Sequence, residues 1–130
     1  MSRLAWNRED VRYWFHYTTR AAAEIIVRSE EYLVLGRRNP PGLYVTDIHP
    51  GALEDDDLLS ALFDGTREME RVQAAVVLAD DDSLPLKKVG QNAWVHEAPK
   101  DSAISLLGIA VGYAWQTEGI WHYSPSLWDY

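Results

Sequence analysis

Short apolar runs alternate with polar breaks along this chain, and their lengths predict strands interrupted by two helices. Val11-Arg12-Tyr13-Trp14-Phe15-His16-Tyr17 is the first strong run, and its aromatic content predicts a strand. Thr18 and Thr19 follow as good N-cap residues for a helix from Arg20 to Ser29, whose Ala-Ala-Ala-Glu-Ile-Ile-Val core favours helix and supplies apolar side chains to pack. Gly36 to Gly42, with two prolines, must be loop. Leu43-Tyr44-Val45-Thr46 reads as a short strand that stops at His49-Pro50-Gly51. A second helix is predicted from Leu53 to Phe63, acidic in its first turn, with Leu58, Leu59, Leu62 and Phe63 on its buried side and Gly65 at its end.

Beyond that helix, the charged stretch Arg67 to Arg71 leads into Val72 to Ala79, an unbroken apolar run typical of a central strand that ends at Asp80-Asp81-Asp82-Ser83. Ala93 to His96 reads as a further strand and Ile104 to Val111 as the last strong one. The aromatic tail from Tyr113 to Tyr130 is expected to pack back on the sheet. Strand, helix, strand, helix and then several strands suggest an α+β domain with a mixed or antiparallel sheet, not a doubly wound parallel one.

Composition narrows this picture. At 130 residues there is room for one domain, so residues 1–130 are expected to form a single unit. The apolar fraction of 47% and charged fraction of 25% are those of a soluble globular chain. Six Trp and seven Tyr supply buried faces and flat surfaces on which a nicotinamide or adenine ring could lie. The net charge of −8 argues against a broad nucleic-acid-binding face, leaving only local basic spots at Arg37-Arg38 and Lys87-Lys88. With no cysteine there is no disulfide, thiolate nucleophile or cysteine-ligated zinc. No apolar signal segment opens the sequence and none is long enough to span a membrane, so a cytoplasmic location is the default expectation. The four histidines lack zinc-site spacing, and Asp80-Asp81-Asp82 reads as a solvated strand-end loop, so no metal is expected. Walker, G-x-G-x-x-G and G-x-S-x-G patterns are missing as well.

Two motifs carry candidate chemistry. One is the strand-borne His16-Tyr17-Thr18; the other, one helix and one Gly-rich loop later, is Gly42-Leu43-Tyr44-Val45-Thr46-Asp47. Each is weak alone, because Tyr and Thr are common strand residues. Together they resemble the ADP-ribosyltransferase superfamily, and more narrowly the bacterial toxin group named for a His-Tyr-Asp signature. Thr46-Asp47-Ile48-His49-Pro50-Gly51 is similar to that group's T-D-I-x-P-G, and Leu59 to Thr66 resembles its leucine-rich helix ending in Gly-Thr. The similarity extends over residues 13–112.

The resemblance implies small sheets with two helices around a central nucleotide cleft, and NAD⁺ as substrate. His16 would hydrogen-bond the adenine-side ribose, and Tyr44 would pack on the nicotinamide. Tyr17, Thr18, Gly42 and Thr46 would line the nucleotide. The family's third position is an acid on the last strand that contacts the nicotinamide ribose. Laying Ile104 to Val111 on that pattern puts Ser105 there, a hydroxyl without charge. Glu97, Asp101 and Glu118 are alternative acids, the last within Gln116-Thr117-Glu118, similar to the Q-x-E of other ADP-ribosyltransferases. Three functions compete: an enzyme that cleaves NAD⁺ to transfer or release ADP-ribose, a catalytically altered member that binds a nucleotide without standard transfer, and an interaction module using its acidic, aromatic surface. The acceptor cannot be read from the sequence, and the aromatic tail offers a surface on which a homodimer could form.

Overall fold

The computed structural model describes residues 12–36, 38–62, 69–80 and 84–124. In chain order these form β1 (Tyr13–Thr18), α1 (Arg20–Ser29), β2 (Glu31–Leu33), β3 (Gly42–Val45), α2 (Asp55–Leu62), a 3-10 helix (Met69–Val72), β4 (Ala74–Ala79), β5 (Lys87–Gly90), β6 (Ala93–Glu97), β7 (Ala103–Ser105), β8 (Ala110–Thr117) and β9 (Ile120–Ser124). The fold class is α+β. One sheet has four strands in the order β1-β4-β8-β9, a second has three in the order β3-β6-β5, and β2 pairs with β7. Among the described residues every ladder is antiparallel.

Strand β4 is buried on both faces, which explains its continuous apolar sequence. Ala74, Val76 and Leu78 join a core with Trp14 of β1 and Ala23 and Ile26 of α1. Ala75 and Val77 alternate to the other face, against Tyr13, Phe15, Tyr17, Leu58 and Leu59. Each helix therefore covers one side of the same sheet. Burying a Val or Leu side chain fully contributes roughly 1.5–3 kcal/mol, so this strand anchors the molecule.

Helix α1 begins and ends where local chemistry dictates. Thr19 is extended (φ −71°, ψ 157°) and its Oγ1 accepts from the Ala22 N–H at 3.2 Å, satisfying one of the orphan donors of the first turn. Glu30 closes the helix in the left-handed conformation, and its N–H bonds the Ile26 carbonyl at 2.9 Å. Helix α2 spans Asp55–Leu62 within the expected Leu53–Phe63; Phe63 and Gly65 lie outside the described residues.

The segment Ile104 to Val111 is not one strand. It splits into β7 and the start of β8 around a turn in which Gly108 has φ 77°. The Leu106 carbonyl accepts from both Ile109 and Ala110 N–H groups at 2.9 Å, and the Leu106 N–H bonds Glu30. An apolar run serves a strand or a buried turn equally well, and here Leu106 and Ile109 are buried inside the turn that carries the chain between sheets. The tail follows the same logic. Residues 113–124 do not lie on the sheet; they are its last strands, β8 and β9, and residues 125–130 fall outside the described set. Among the described residues no helix is long and apolar enough to cross a membrane.

Candidate functional site

The site arises where β1 and β3 meet once and then part. Phe15 and Thr46 exchange both backbone hydrogen bonds, at 2.8 and 2.9 Å. Continued in register, the next pair would be His16 and Val45, yet among the described residues Phe15–Thr46 remains an isolated bridge. One residue on, a side chain takes over from the backbone: His16 Nδ1 lies 2.7 Å from the Tyr44 carbonyl oxygen. The strands splay apart and leave a cleft of about 370 Å³ between them, within the range of small-molecule sites.

His16 stands on the β1 face that also carries Trp14 and Thr18, by the two-residue period of a strand. A carbonyl only accepts, so Nδ1 carries the proton and Nε2 is left with a lone pair. Burial lowers the His16 pKa below 6.5; the Tyr44 hydrogen bond works against this and the Arg38 charge works with it. At neutral pH the imidazole is therefore uncharged and presents a hydrogen-bond acceptor at Nε2. Tyr32 meets the ring edge-on at 5.0 Å between centroids and fixes its plane.

Tyr44 is held at two points. Its hydroxyl donates to the Pro40 carbonyl at 2.6 Å, tying the preceding loop to its own strand. The Arg38 guanidinium lies 4.0 Å over its ring. Gly42 opens β3 where the chain passes hard against β6: a Cβ there would run into the His96 carbonyl oxygen. Thr46 is nearly fully buried, and its Oγ1 accepts from Ile48 N–H at 3.3 Å. Tyr17 donates its hydroxyl to the Ile48 carbonyl at 2.8 Å, and burial pushes its pKa well up, with Tyr123 adding to the effect.

His16, Tyr17, Thr18, Gly42, Tyr44 and Thr46 all border the cleft. Ser105 does not. It sits on β7 directly opposite Glu31, exposed, with Oγ accepting from Leu107 N–H at 3.4 Å. Tyr32, the next residue on β2, lines the cleft and pairs with buried Ile104, so the strand period turns Ser105 the other way. Glu97, Asp101 and Glu118 are exposed at a strand end and two turns, and none borders the cleft. Gln116 is occupied structurally: its amide donates to Asp55 Oδ1 at 2.8 Å and to the Val72 carbonyl at 3.1 Å.

Sequence reading missed Tyr32 and Arg71, both in the cleft wall. Strand β2 has only three residues, too short for any periodic signal, and Arg71 belongs to a charged run that gives no hint of a cleft. Arg38 was visible only as half of a basic pair; Arg37 lies outside the described residues. The described lining thus combines a neutral imidazole acceptor, threonine hydroxyls, tyrosine rings and two arginines, with no Asp or Glu. Such a surface suits a ligand with hydroxyls, a planar ring and negative charge. Among the described residues no group of His, Asp and Glu could hold a metal ion.

Comparison of the chain with protein-family models, curated proteins and solved structures gives no match.

Proposed function

We propose that this chain is an NAD⁺-utilising, ADP-ribosyltransferase-like protein whose cleft binds the dinucleotide between β1 and β3. The observation that carries this reading is the His16–Tyr44 bond at the point where the strands diverge. It joins the two sequence motifs in one cleft, although 28 residues separate them. In this reading His16 Nε2 accepts a ribose hydroxyl, Tyr44 supplies a ring for the nicotinamide, and Thr18 and the Gly42 backbone border the nucleotide. Breaking the nicotinamide–ribose bond sends the electron pair to nicotinamide, which leaves neutral, and puts positive charge on the sugar. An acceptor nucleophile or water then bonds to the sugar carbon and loses its proton.

A second reading has a specific observation in its favour. No carboxylate borders the cleft among the described residues, and Ser105 faces elsewhere. A site that binds the dinucleotide without an acid to stabilise the cationic sugar would sense or hold NAD⁺ rather than transfer from it. One experiment separates the two. Protein is incubated with NAD⁺, binding is followed by calorimetry and free nicotinamide by NMR. Binding with release of nicotinamide supports the enzyme; binding without release supports the sensor; no binding to the wild-type protein refutes both.

A further inference from the structure

Arg38 is a residue of the cleft whose position the two motifs do not explain. Its guanidinium is laid over the Tyr44 ring at 4.0 Å, and both residues border the cleft. The Tyr44 hydroxyl is bonded to Pro40, two residues beyond Arg38, so ring and arginine are parts of one tethered loop. One face of the aromatic platform is thus occupied by a cation before any ligand arrives. Arg38 is nevertheless an exposed residue, and an exposed cation–π contact holds it by only a small free energy. The same charge also acts on His16 and helps keep it neutral.

This arrangement conflicts with a positively charged nicotinamide ring stacked on the same face, because two cations cannot share one ring face without repulsion. It is compatible with one in which the guanidinium moves a few ångströms to an anion. Resting on the dinucleotide reading, we infer that Arg38 is an exchangeable cover of Tyr44 that transfers to the ligand's diphosphate. A guanidinium matches phosphate oxygens with two parallel N–H donors, a stronger contact than stacking on a tyrosine. The ligand class follows: the site selects molecules that bring an anionic diphosphate together with a planar ring. A nucleoside without phosphate offers Arg38 nothing in exchange and must compete with it for Tyr44.

The test measures binding of NAD⁺ and of nicotinamide riboside, which has the ring and sugar but no phosphate, to wild type, Arg38→Gln and Arg38→Lys by calorimetry. Because Arg38 is exposed, both variants are expected to fold, and a thermal melt of each verifies it. Arg38→Gln should weaken NAD⁺ roughly tenfold or more while leaving nicotinamide riboside unchanged or binding it more tightly. Arg38→Lys should restore part of the NAD⁺ affinity, since an ammonium supplies the charge without the fork. In wild type, inorganic pyrophosphate should also shift the Tyr44 ring proton resonances as the guanidinium leaves, and should fail to do so in Arg38→Gln. Equal weakening of both ligands, or unchanged NAD⁺ affinity in Arg38→Gln, overturns the inference while leaving the dinucleotide site standing. Wild-type protein that binds neither ligand removes the dinucleotide reading and this inference with it.

Discussion

His16 shows how one side chain is given its chemical state by its surroundings. Its pKa is lowered in the folded protein, so the unfolded chain binds a proton first as pH falls. Stability from this residue is therefore complete above about pH 6.5 and declines as pH drops toward the folded pKa. Urea melts of wild type and His16→Gln at several pH values should show the wild type losing more stability on acidification than the variant. For ligand, His16→Ala should weaken NAD⁺ binding about tenfold by removing the Nε2 acceptor. Tyr44 separates ring from hydroxyl. Tyr44→Phe keeps the ring but loses the Pro40 bond, and should cost about 1 kcal/mol of stability in a denaturant melt with binding largely retained. Each motif was legible in the sequence because its residues are neighbours, whereas one cleft shared by His16 and Tyr44 was only what the family resemblance implied. The state of the imidazole was not legible, since it depends on burial by β2 and on Arg38, which no local pattern reports.

At the scale of elements, helix α1 was predicted to the residue because everything that defines it is adjacent in sequence: Thr19 caps it, and Ala23 and Ile26 give it one buried side. Thr19→Ala should lower unfolding free energy by about 1 kcal/mol, read from a chemical melt. Strand β3 depends on something farther away. Gly42 passes against the His96 carbonyl of β6, so Gly42→Ala must push the two strands apart. We expect a loss of about 1–3 kcal/mol, with NAD⁺ binding reduced as the cleft wall shifts. The split of Ile104 to Val111 into β7 and β8 is the converse case. Apart from Ser105 its residues are apolar or glycine, and the bonds from Leu106 to Glu30 on one side and to Ile109 and Ala110 on the other, with Gly108 at φ 77°, turn the chain there. The β2–β7 register, which puts Ile104 on the Tyr32 side, turns Ser105 away from the cleft, so Ser105→Ala is expected to leave both NAD⁺ binding and nicotinamide release unchanged.

For the molecule as a whole, β4 and the aromatics of β1 hold the two cores on either face of one sheet. Phe15 is fully buried and also forms the isolated backbone bridge from β1 to Thr46, just past β3. Phe15→Ala should cost about 3–5 kcal/mol and loosen the cleft together with the core, a coupling visible as a parallel fall in melting temperature and NAD⁺ affinity. Sequence alone determined the α+β class, the first helix, the central strand and the two motifs, because each is written in neighbouring residues: caps, apolar runs and turn formers. It did not determine which strands pair. Three separate antiparallel sheets among the described residues, the short strands β2, β5 and β9, and the contribution of Tyr32, Arg38 and Arg71 to one cleft rest on contacts between segments far apart in the chain. The opening between β1 and β3 is the plainest instance. Nothing in either strand's own residues says that their ladder stops after one pair; the neighbours on each far side, β4 for one and β6 for the other, pull them into different sheets, and the cleft is the space that results.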